Sequence, residues 1–195
     1  GIDLVQAQVR LAAGEPLPWK QADIRSRGHA MECRIYSENP ADDFRPAAGE
    51  ILHLREPAGP GVRVDSGIAA GSPASVWYDP ILAKIIAWGG DREQARRRMV
   101  RALAETVLLG IETPLEYLRA VLEHPDFAAG RTHTGFLDEH FAGWSPAPAS
   151  EEERRLAALT TALVKFHRRP AASAAGSGTG EPPTPWQTLG KWENA

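Results

Sequence analysis

An arginine that follows a glycine-flanked turn is the strongest candidate for chemistry in this sequence. Residues 59–66 read Gly-Pro-Gly-Val-Arg-Val-Asp-Ser, which places Arg63 two residues before Asp65. The glycines allow another molecule to approach the backbone closely, and a strand holds the arginine in a fixed direction. Arg63 can then offer its planar guanidinium to a carboxylate or to a developing oxyanion. From the residues alone, an exposed Arg63–Asp65 ion pair of little energetic value is the simpler interpretation.

The single cysteine is a weaker candidate for a nucleophile. Cys33 is the only cysteine in the chain, which excludes an intrachain disulfide and a cysteine-rich zinc site. It alternates with Met31 and Ile35, and an unpaired cysteine in such a position usually behaves as a small buried apolar side chain. We therefore predict that Cys33 belongs to the core.

Three histidines occur between residues 124 and 140 and invite a metal-site interpretation. They are His124, His133 and His140, and their separations of nine and seven residues place no two neighbours on one helix face. No carboxylate completes a recognisable set of ligands. The sequence therefore predicts no metal site.

The composition is that of an ordinary globular protein. Among 195 residues, 22 are basic and 25 are acidic, and the formal net charge is -3. This balance lacks the positive charge that attracts nucleic acids or an anionic membrane surface, so neither is a predicted partner. No stretch approaches the roughly 18 consecutive apolar residues of a membrane-spanning helix, and the N-terminus has no secretory signal pattern. These features predict a soluble protein of the cytoplasm, or of the mitochondrial matrix in a eukaryote.

The elements that must position these residues follow from the hydrophobic pattern. Four apolar runs have the length of strands and are separated by turns, at residues 29–36, 51–54, 62–68 and 81–88. Amphipathic helices are predicted near residues 2–13, 92–107 and 114–123, with Asp3, Asp91 and Thr113 as candidate N-caps. The predicted fold is α+β, an antiparallel sheet packed with helices.

The amino-acid composition of the C-terminal part of the sequence changes twice. A helix is predicted to begin after Ser150, with three glutamates in its first turn, and it must end before Pro170. Residues 170–185 consist mainly of Ala, Ser, Gly, Pro and Thr, which predicts a flexible linker. Trp186 and Trp192 then restore bulky side chains and predict the start of another domain.

Five segments, taken in order and spacing, resemble the C-terminal domain of biotin carboxylase. They are Gly-Ile-Asp-Leu-Val at 1–5, Arg-Gly-His-Ala-Met-Glu-Cys-Arg-Ile at 27–35, the segment 59–66, Tyr-Asp-Pro-Ile-Leu-Ala-Lys-Ile-Ile at 78–86 and Asp-Arg-Glu-Gln-Ala at 91–95. The resemblance covers roughly residues 1–141. Residues 150–192 are similar to the beginning of the region that follows this domain in the biotin-containing alpha subunit of acyl-CoA carboxylases of the methylcrotonyl-CoA, propionyl-CoA or acetyl-CoA type.

The resemblance implies part of an ATP-grasp ligase that uses ATP and bicarbonate to carboxylate biotin on its N1 atom. It implies that Arg63 lies at the biotin ureido group, where its cation stabilises the negative charge that develops there. We expect Asp65 to orient that guanidinium. The resemblance also implies that Thr134 lies at the adenine pocket. Biotin, ATP and Mg²⁺ or Mn²⁺ are the implied cofactors of the whole enzyme.

The predicted organisation has three parts. Residues 1–141 form the biotin carboxylase C-terminal domain, residues 142–185 a helix and flexible linker, and residues 186–195 the start of a subunit-connecting domain. The family's ATP, metal and bicarbonate residues precede the position of Gly1, so this segment alone is predicted to be inactive. The implied partners are an upstream ATP-grasp domain, a biotin carboxyl carrier domain, a carboxyltransferase beta subunit and a second copy of the chain.

Two alternatives stay open at this point. The segment can be a non-catalytic interaction module, in which the sheet and the Trp186–Trp192 region bind a partner subunit. It can also be the corresponding segment of a pyruvate or urea carboxylase. The sequences that precede residue 1 and follow residue 195 would distinguish these cases.

Overall fold

The computed structural model describes residues 2–75 and 77–167. Within these residues the chain forms two compact units, divided between Pro146 and Ala147. The predicted linker over residues 170–185 and the Trp186–Trp192 region lie outside the described residues.

Helices and short strands alternate along the chain. The helices are α1 (Leu4–Ala12), α2 (Arg92–Glu105), α3 (Leu115–Glu123), α4 (Pro125–Ala128), α5 (Phe136–Phe141) and α6 (Glu151–His167). The strands are β1 (His29–Tyr36), β2 (Glu38–Asn39), β3 (Arg45–Pro46), β4 (Gly49–Glu50), β5 (His53–Arg55), β6 (Val62–Ser66), β7 (Pro73–Ala74), β8 (Ile81–Gly89) and β9 (Val107–Leu109). Single 3-10 turns form at Gln21–Asp23 and Pro40–Asp42.

An antiparallel sheet in the order β1-β8-β6 forms the centre of the first unit. Its register sets Ile85 opposite both Cys33 and Val64, so the alternate apolar residues of the three strands share one face. The remaining strands form the pairs β2-β3, β4-β7 and β5-β9. The predicted α+β class and antiparallel pairing are confirmed.

Helix α2 covers the apolar face of this sheet. Its residues Met99 and Leu103 are fully buried, as are Ile35 and Ile85 of the strands beneath. Each such side chain contributes roughly 1.5–3 kcal/mol of transfer free energy when it leaves water. Cys33 belongs to this core, as predicted, and burial raises the pKa of its thiol to about 12.

The prediction that residues 51–54 form a strand of the main sheet is wrong. Ile51 is fully buried, but the chain changes partner there, because the Ile51 N–H donates to the Ser72 carbonyl and the Leu52 N–H to the Leu109 carbonyl. Consequently β4 pairs with β7, and β5 pairs with β9. Strand β6 also ends at Ser66, two residues before the predicted end.

Helix α2 ends before the predicted residue 107. Thr106 donates both its backbone N–H and its hydroxyl to the Ala102 carbonyl, over 3.1 and 2.8 Å, which closes the last turn. Val107 then begins β9. The sequence analysis missed this strand because its apolar residues continue the pattern of the helix.

The predicted N-caps are correct for three helices and wrong for α3. Asp3 and Asp91 accept the backbone N–H three residues ahead, over 2.9 and 2.8 Å, and Ser150 caps α6 in the same way over 3.2 Å. In α3, Pro114 rather than Thr113 is the N-cap, because Pro114 has a ψ angle of 20° and helical geometry starts one residue later.

The second unit contains α6, and its leucines lie on one side of the helix. Leu156, Leu159 and Leu163 are each more than half exposed. Their spacing of three and four residues places them on one helix face. Among the helices described in either unit, none has the length and hydrophobicity that crossing a membrane requires.

Candidate functional site

The open face of the β1-β8-β6 sheet carries a group of charged side chains. The register aligns Glu32, Ile86 and Arg63 in one row across the three strands. The next row on the same face contains Arg34, Lys84 and Asp65. Because residues directly opposite one another in an antiparallel sheet project to the same side, these charges share one surface.

Arg63 and Asp65 form the ion pair that the sequence predicted. Arg63 donates from Nε to Asp65 Oδ1 over 2.8 Å and from Nη2 to Oδ2 over 2.9 Å. This hydrogen bonding lowers the pKa of the Asp65 carboxyl, and the charge of Lys84 also favours its ionised form. The side chains are 75% and 41% exposed, so the pair contributes little to stability. Two of the guanidinium N–H groups of Arg63 are thus already committed to Asp65.

Arg34 forms a second ion pair on the same face. Its Nε donates to Glu32 Oε1 over 3.0 Å, and hydrogen bonding to Glu32 and to Tyr36 raises the pKa of Arg34. Arg34 therefore gives one N–H to its carboxylate and is also hydrogen-bonded to Tyr36, whereas Arg63 gives two N–H groups to Asp65. The sequence analysis did not select Glu32 or Arg34 as site residues.

A cavity of about 260 Å³ lies beside Arg34. It is lined by Glu32, Cys33, Arg34, Tyr36, Glu38, Phe44, Pro114, Tyr117 and Leu118. Burial, followed by the charge of Asp79, raises the pKa of the Glu38 carboxyl. A cavity that places an arginine beside a carboxyl of raised pKa is a candidate functional site. The sequence analysis did not select Glu38, because the only feature that marks this residue in the sequence is a short polar run directly after β1.

Thr134 lies in an exposed position before α5, where Gly135 is the N-cap. It is separated in sequence from both ion pairs of the sheet. Its predicted role at an adenine pocket stays a prediction, because the described residues give it no distinguishing contact.

The structure brings together two of the three histidines that the sequence singled out. His124 and His140 converge with Asp126, and one ligand atom of each lies within 4.8 Å of the others. His133 instead approaches Glu139, with 3.3 Å between Nε2 and Oε2. The helix-face criterion did not anticipate this contact, because His124 lies in the turn between α3 and α4, whereas His140 lies in α5. The absence of a metal site stays a prediction from the sequence.

Comparison with known proteins identifies the family of this fold. The model of the biotin carboxylase C-terminal domain matches residues 32–139. The mitochondrial methylcrotonoyl-CoA carboxylase subunit alpha of Dictyostelium discoideum is 36% identical, over 96% of this chain and 26% of its own length. The biotin carboxylase of Haemophilus influenzae is 45% identical, over 71% of this chain and 31% of its own length.

A solved structure agrees with these relatives. The multifunctional pyruvate carboxylase of Rhizobium etli matches with a TM-score of 0.73 and 34% identity, over 80% of this chain and 16% of that chain. This chain thus spans about a quarter to a third of the length of the two curated relatives it matches. From the fold, the charged sheet face and the match over residues 32–139, the chain belongs to the biotin carboxylase C-terminal domain family.

Proposed function

We propose that this chain is the C-terminal part of the biotin carboxylase component of a biotin-dependent acyl-CoA carboxylase. The whole protein would use ATP and bicarbonate to carboxylate biotin on N1. The observation that carries this proposal is the family match over residues 32–139, which includes β6, β8 and the part of β1 that carries Glu32 and Arg34.

The acyl-CoA carboxylase type is favoured by the part of the chain that follows the family domain. The match to the methylcrotonoyl-CoA carboxylase subunit covers 96% of the chain and must therefore include α6. The match to the stand-alone biotin carboxylase covers 71% of the chain, which leaves room for α6 to lie outside it, whereas the match to pyruvate carboxylase covers 80% and is long enough to reach into α6. A pyruvate or urea carboxylase is the second candidate.

The domain organisation is proposed as predicted, with a first domain over residues 1–141, a helix and linker over 142–185 and a new domain from 186. The end of the family match at residue 139 and the end of the first compact unit at Pro146 support the first boundary. The proposed partners are an upstream ATP-grasp domain, a biotin carboxyl carrier domain, a carboxyltransferase subunit and a second copy. Location in the cytoplasm or the mitochondrial matrix stays a prediction.

The open sheet face fits the biotin ureido group, because fixed guanidinium groups stabilise negative charge on oxygen. Biotin, when bound, supplies the nitrogen that receives the carboxyl group. Two arginines are candidates for the charge-stabilising role. The resemblance assigns it to Arg63, with Asp65 holding the guanidinium in place through both hydrogen bonds. The cavity favours Arg34, because Arg34 lines it together with Glu38.

ATP and Mg²⁺ are proposed for the whole protein rather than for this segment. Thr134 is the only residue of this chain that the proposal assigns to the nucleotide. Mg²⁺ prefers oxygen ligands. Within residues 2–75 and 77–167, the one group of three metal-ligating residues contains two histidines, so it does not fit Mg²⁺.

The test is to clone the full coding sequence and to compare the full-length protein with the 195-residue chain. We expect the full-length protein to hydrolyse ATP in a bicarbonate-dependent reaction that free biotin accelerates. The 195-residue chain should show neither activity. Bicarbonate-dependent ATP hydrolysis by the short chain, or an inactive full-length protein that carries intact ATP-grasp motifs, would contradict the proposal. In the second case the interaction-module alternative takes its place.

A further inference from the structure

A compact group of metal-ligating side chains lies away from the charged sheet face. It consists of His124, which precedes α4, Asp126 in the first turn of α4, and His140 near the end of α5. One ligand atom of each residue lies within 4.8 Å of the other two. All three side chains are half-buried, so solvent does not screen them fully.

The carboxylate of Asp126 is oriented towards the histidines by a neighbouring arginine. Arg131 donates to Asp126 Oδ1 from Nε over 2.9 Å and also from Nη2. Oδ2 is therefore left to face His140, whose Nε2 lies 3.7 Å away. Hydrogen bonds of this kind, to the second oxygen of a carboxylate ligand, are typical of metal sites because they fix the orientation of the ligand.

Aromatic packing fixes the two imidazole rings. Their centroids are 4.4 Å apart, and the buried ring of Phe136 lies 4.8 Å from His140 and 5.5 Å from His124. Rings that are held in place lose little conformational entropy when they bind an ion.

One existing contact competes with an ion. His124 Nδ1 accepts the backbone N–H of Asp126 over 3.2 Å, a long hydrogen bond. Coordination through either nitrogen of His124 gives up this bond, because a neutral imidazole has only one lone pair available and its other nitrogen carries the proton. A coordinate bond replaces it, so the contact lowers the affinity without preventing binding.

We propose that His124, Asp126 and His140 bind one divalent transition-metal ion, of which Zn²⁺ is the best match. Two imidazole nitrogens and one carboxylate oxygen form a donor set that suits Zn²⁺ and is unsuited to Ca²⁺ or Mg²⁺. Three protein ligands leave a fourth position for water or for a group from elsewhere. The bound ion would join the start of α4 to the end of α5. This inference is independent of the proposed carboxylation.

The experiment titrates ZnCl₂ into the metal-free chain by calorimetry and repeats the titration with Co²⁺, read by its visible absorption. We expect one ion per chain and a Co²⁺ spectrum typical of four-coordinate nitrogen and oxygen ligands. His140→Ala and Asp126→Asn should each weaken Zn²⁺ binding by at least about 10–100-fold, because each removes a direct ligand and the loss of a ligand's hydrogen-bonding partner alone has an effect of that size. His133→Ala is the matched control, since His133 is a nearby histidine whose side chain is 58% exposed.

The outcomes distinguish Zn²⁺ binding at the three proposed ligands from nonspecific binding to surface groups. Equal weakening by His133→Ala, several ions per chain, or binding only at millimolar Zn²⁺ would overturn the proposal. Circular dichroism of the metal-free variants shows whether they remain folded. If His140→Ala unfolds, His140→Gln, which keeps more of the side-chain volume, provides the same test.

Discussion

The two faces of the three-stranded sheet differ in what determines their residues. The face under α2 buries Cys33, Ile35 and Ile85, each at most 7% exposed. The opposite face carries two ion pairs and Lys84, whose side chains are partly or largely exposed. The same strands thus provide a closed apolar surface and an open charged one.

This difference separates residues needed for folding from residues available for binding. On the closed face, close packing penalises any change in volume. On the open face, exposed ion pairs contribute little to stability, so folding alone gives little reason for arginine at positions 34 and 63. The proposed function gives the charges of the open face a role in binding, and four predictions test this contrast.

The largest expected effect concerns the reactivity of Cys33 on the closed face. Burial raises the pKa of this thiol to about 12. At pH 8 the thiolate fraction should be about 1000-fold lower than that of a thiol with an unperturbed pKa. A thiol reagent followed by absorbance should therefore label the folded chain far more slowly than the same chain in denaturant. Labelling at equal rates would show that the face under α2 is open.

A matched pair of isoleucines tests the energetic contrast between the faces. Ile85→Ala should lower the free energy of unfolding by about 3 kcal/mol, because it leaves a cavity in the core beneath α2. Ile86→Ala, at the adjacent residue on the open face, should lower it by about 1 kcal/mol, because Ile86 is only half-buried. Urea denaturation measures both. Equal losses would mean that the open face is as tightly packed as the closed one.

Much of this contrast could be predicted from the sequence, because alternation along a strand determines which side chains share a face. The strands at β1, β6 and β8 and the burial of Cys33 followed from this alternation. The Arg63–Asp65 contact followed from their separation of two residues.

Features that depend on distant parts of the chain could not be predicted in this way. The change of partner at Ile51 depends on β7 and β9, and short apolar segments do not specify their own partners. The cavity beside Arg34 requires Phe44 and Tyr117, which are far apart in sequence. The approach of His124 to His140 likewise depends on how α4 and α5 pack.

The roles of the two open-face arginines can be separated in the full-length protein. Arg34→Ala should lower the rate of biotin carboxylation by about 100-fold if its guanidinium stabilises developing negative charge. Arg63→Ala should lower it less, because Arg34 and not Arg63 lines the cavity beside the sheet. The KM for ATP should change little in either variant. A larger loss of rate in Arg63→Ala than in Arg34→Ala would assign the charge-stabilising role to Arg63. A variant that loses ATP binding as strongly as it loses carboxylation would show that its arginine has a structural role.

The smallest expected effect is electrostatic and concerns Asp65. Its pKa lies below the ordinary value of 3.8 mainly because Arg63 hydrogen-bonds to the ionised carboxylate, with a further contribution from Lys84. Arg63→Ala should therefore raise the pKa of Asp65, and Lys84→Ala should raise it less. Carboxyl carbon chemical shifts, followed by NMR as the pH is lowered, measure both changes.

The same shift determines the sign of the effect of pH on stability. A carboxyl whose pKa is lower in the folded chain stabilises the fold above its unfolded pKa, and this contribution is lost as the pH falls through the folded value. For Asp65 the loss occurs below about pH 4, and Arg63→Ala should remove it. Because the pair is exposed, salt should weaken the shift. A pKa of Asp65 that is insensitive to Arg63→Ala and to salt would mean that the pair does not persist in solution, and Arg63 would then have its whole guanidinium free for a ligand.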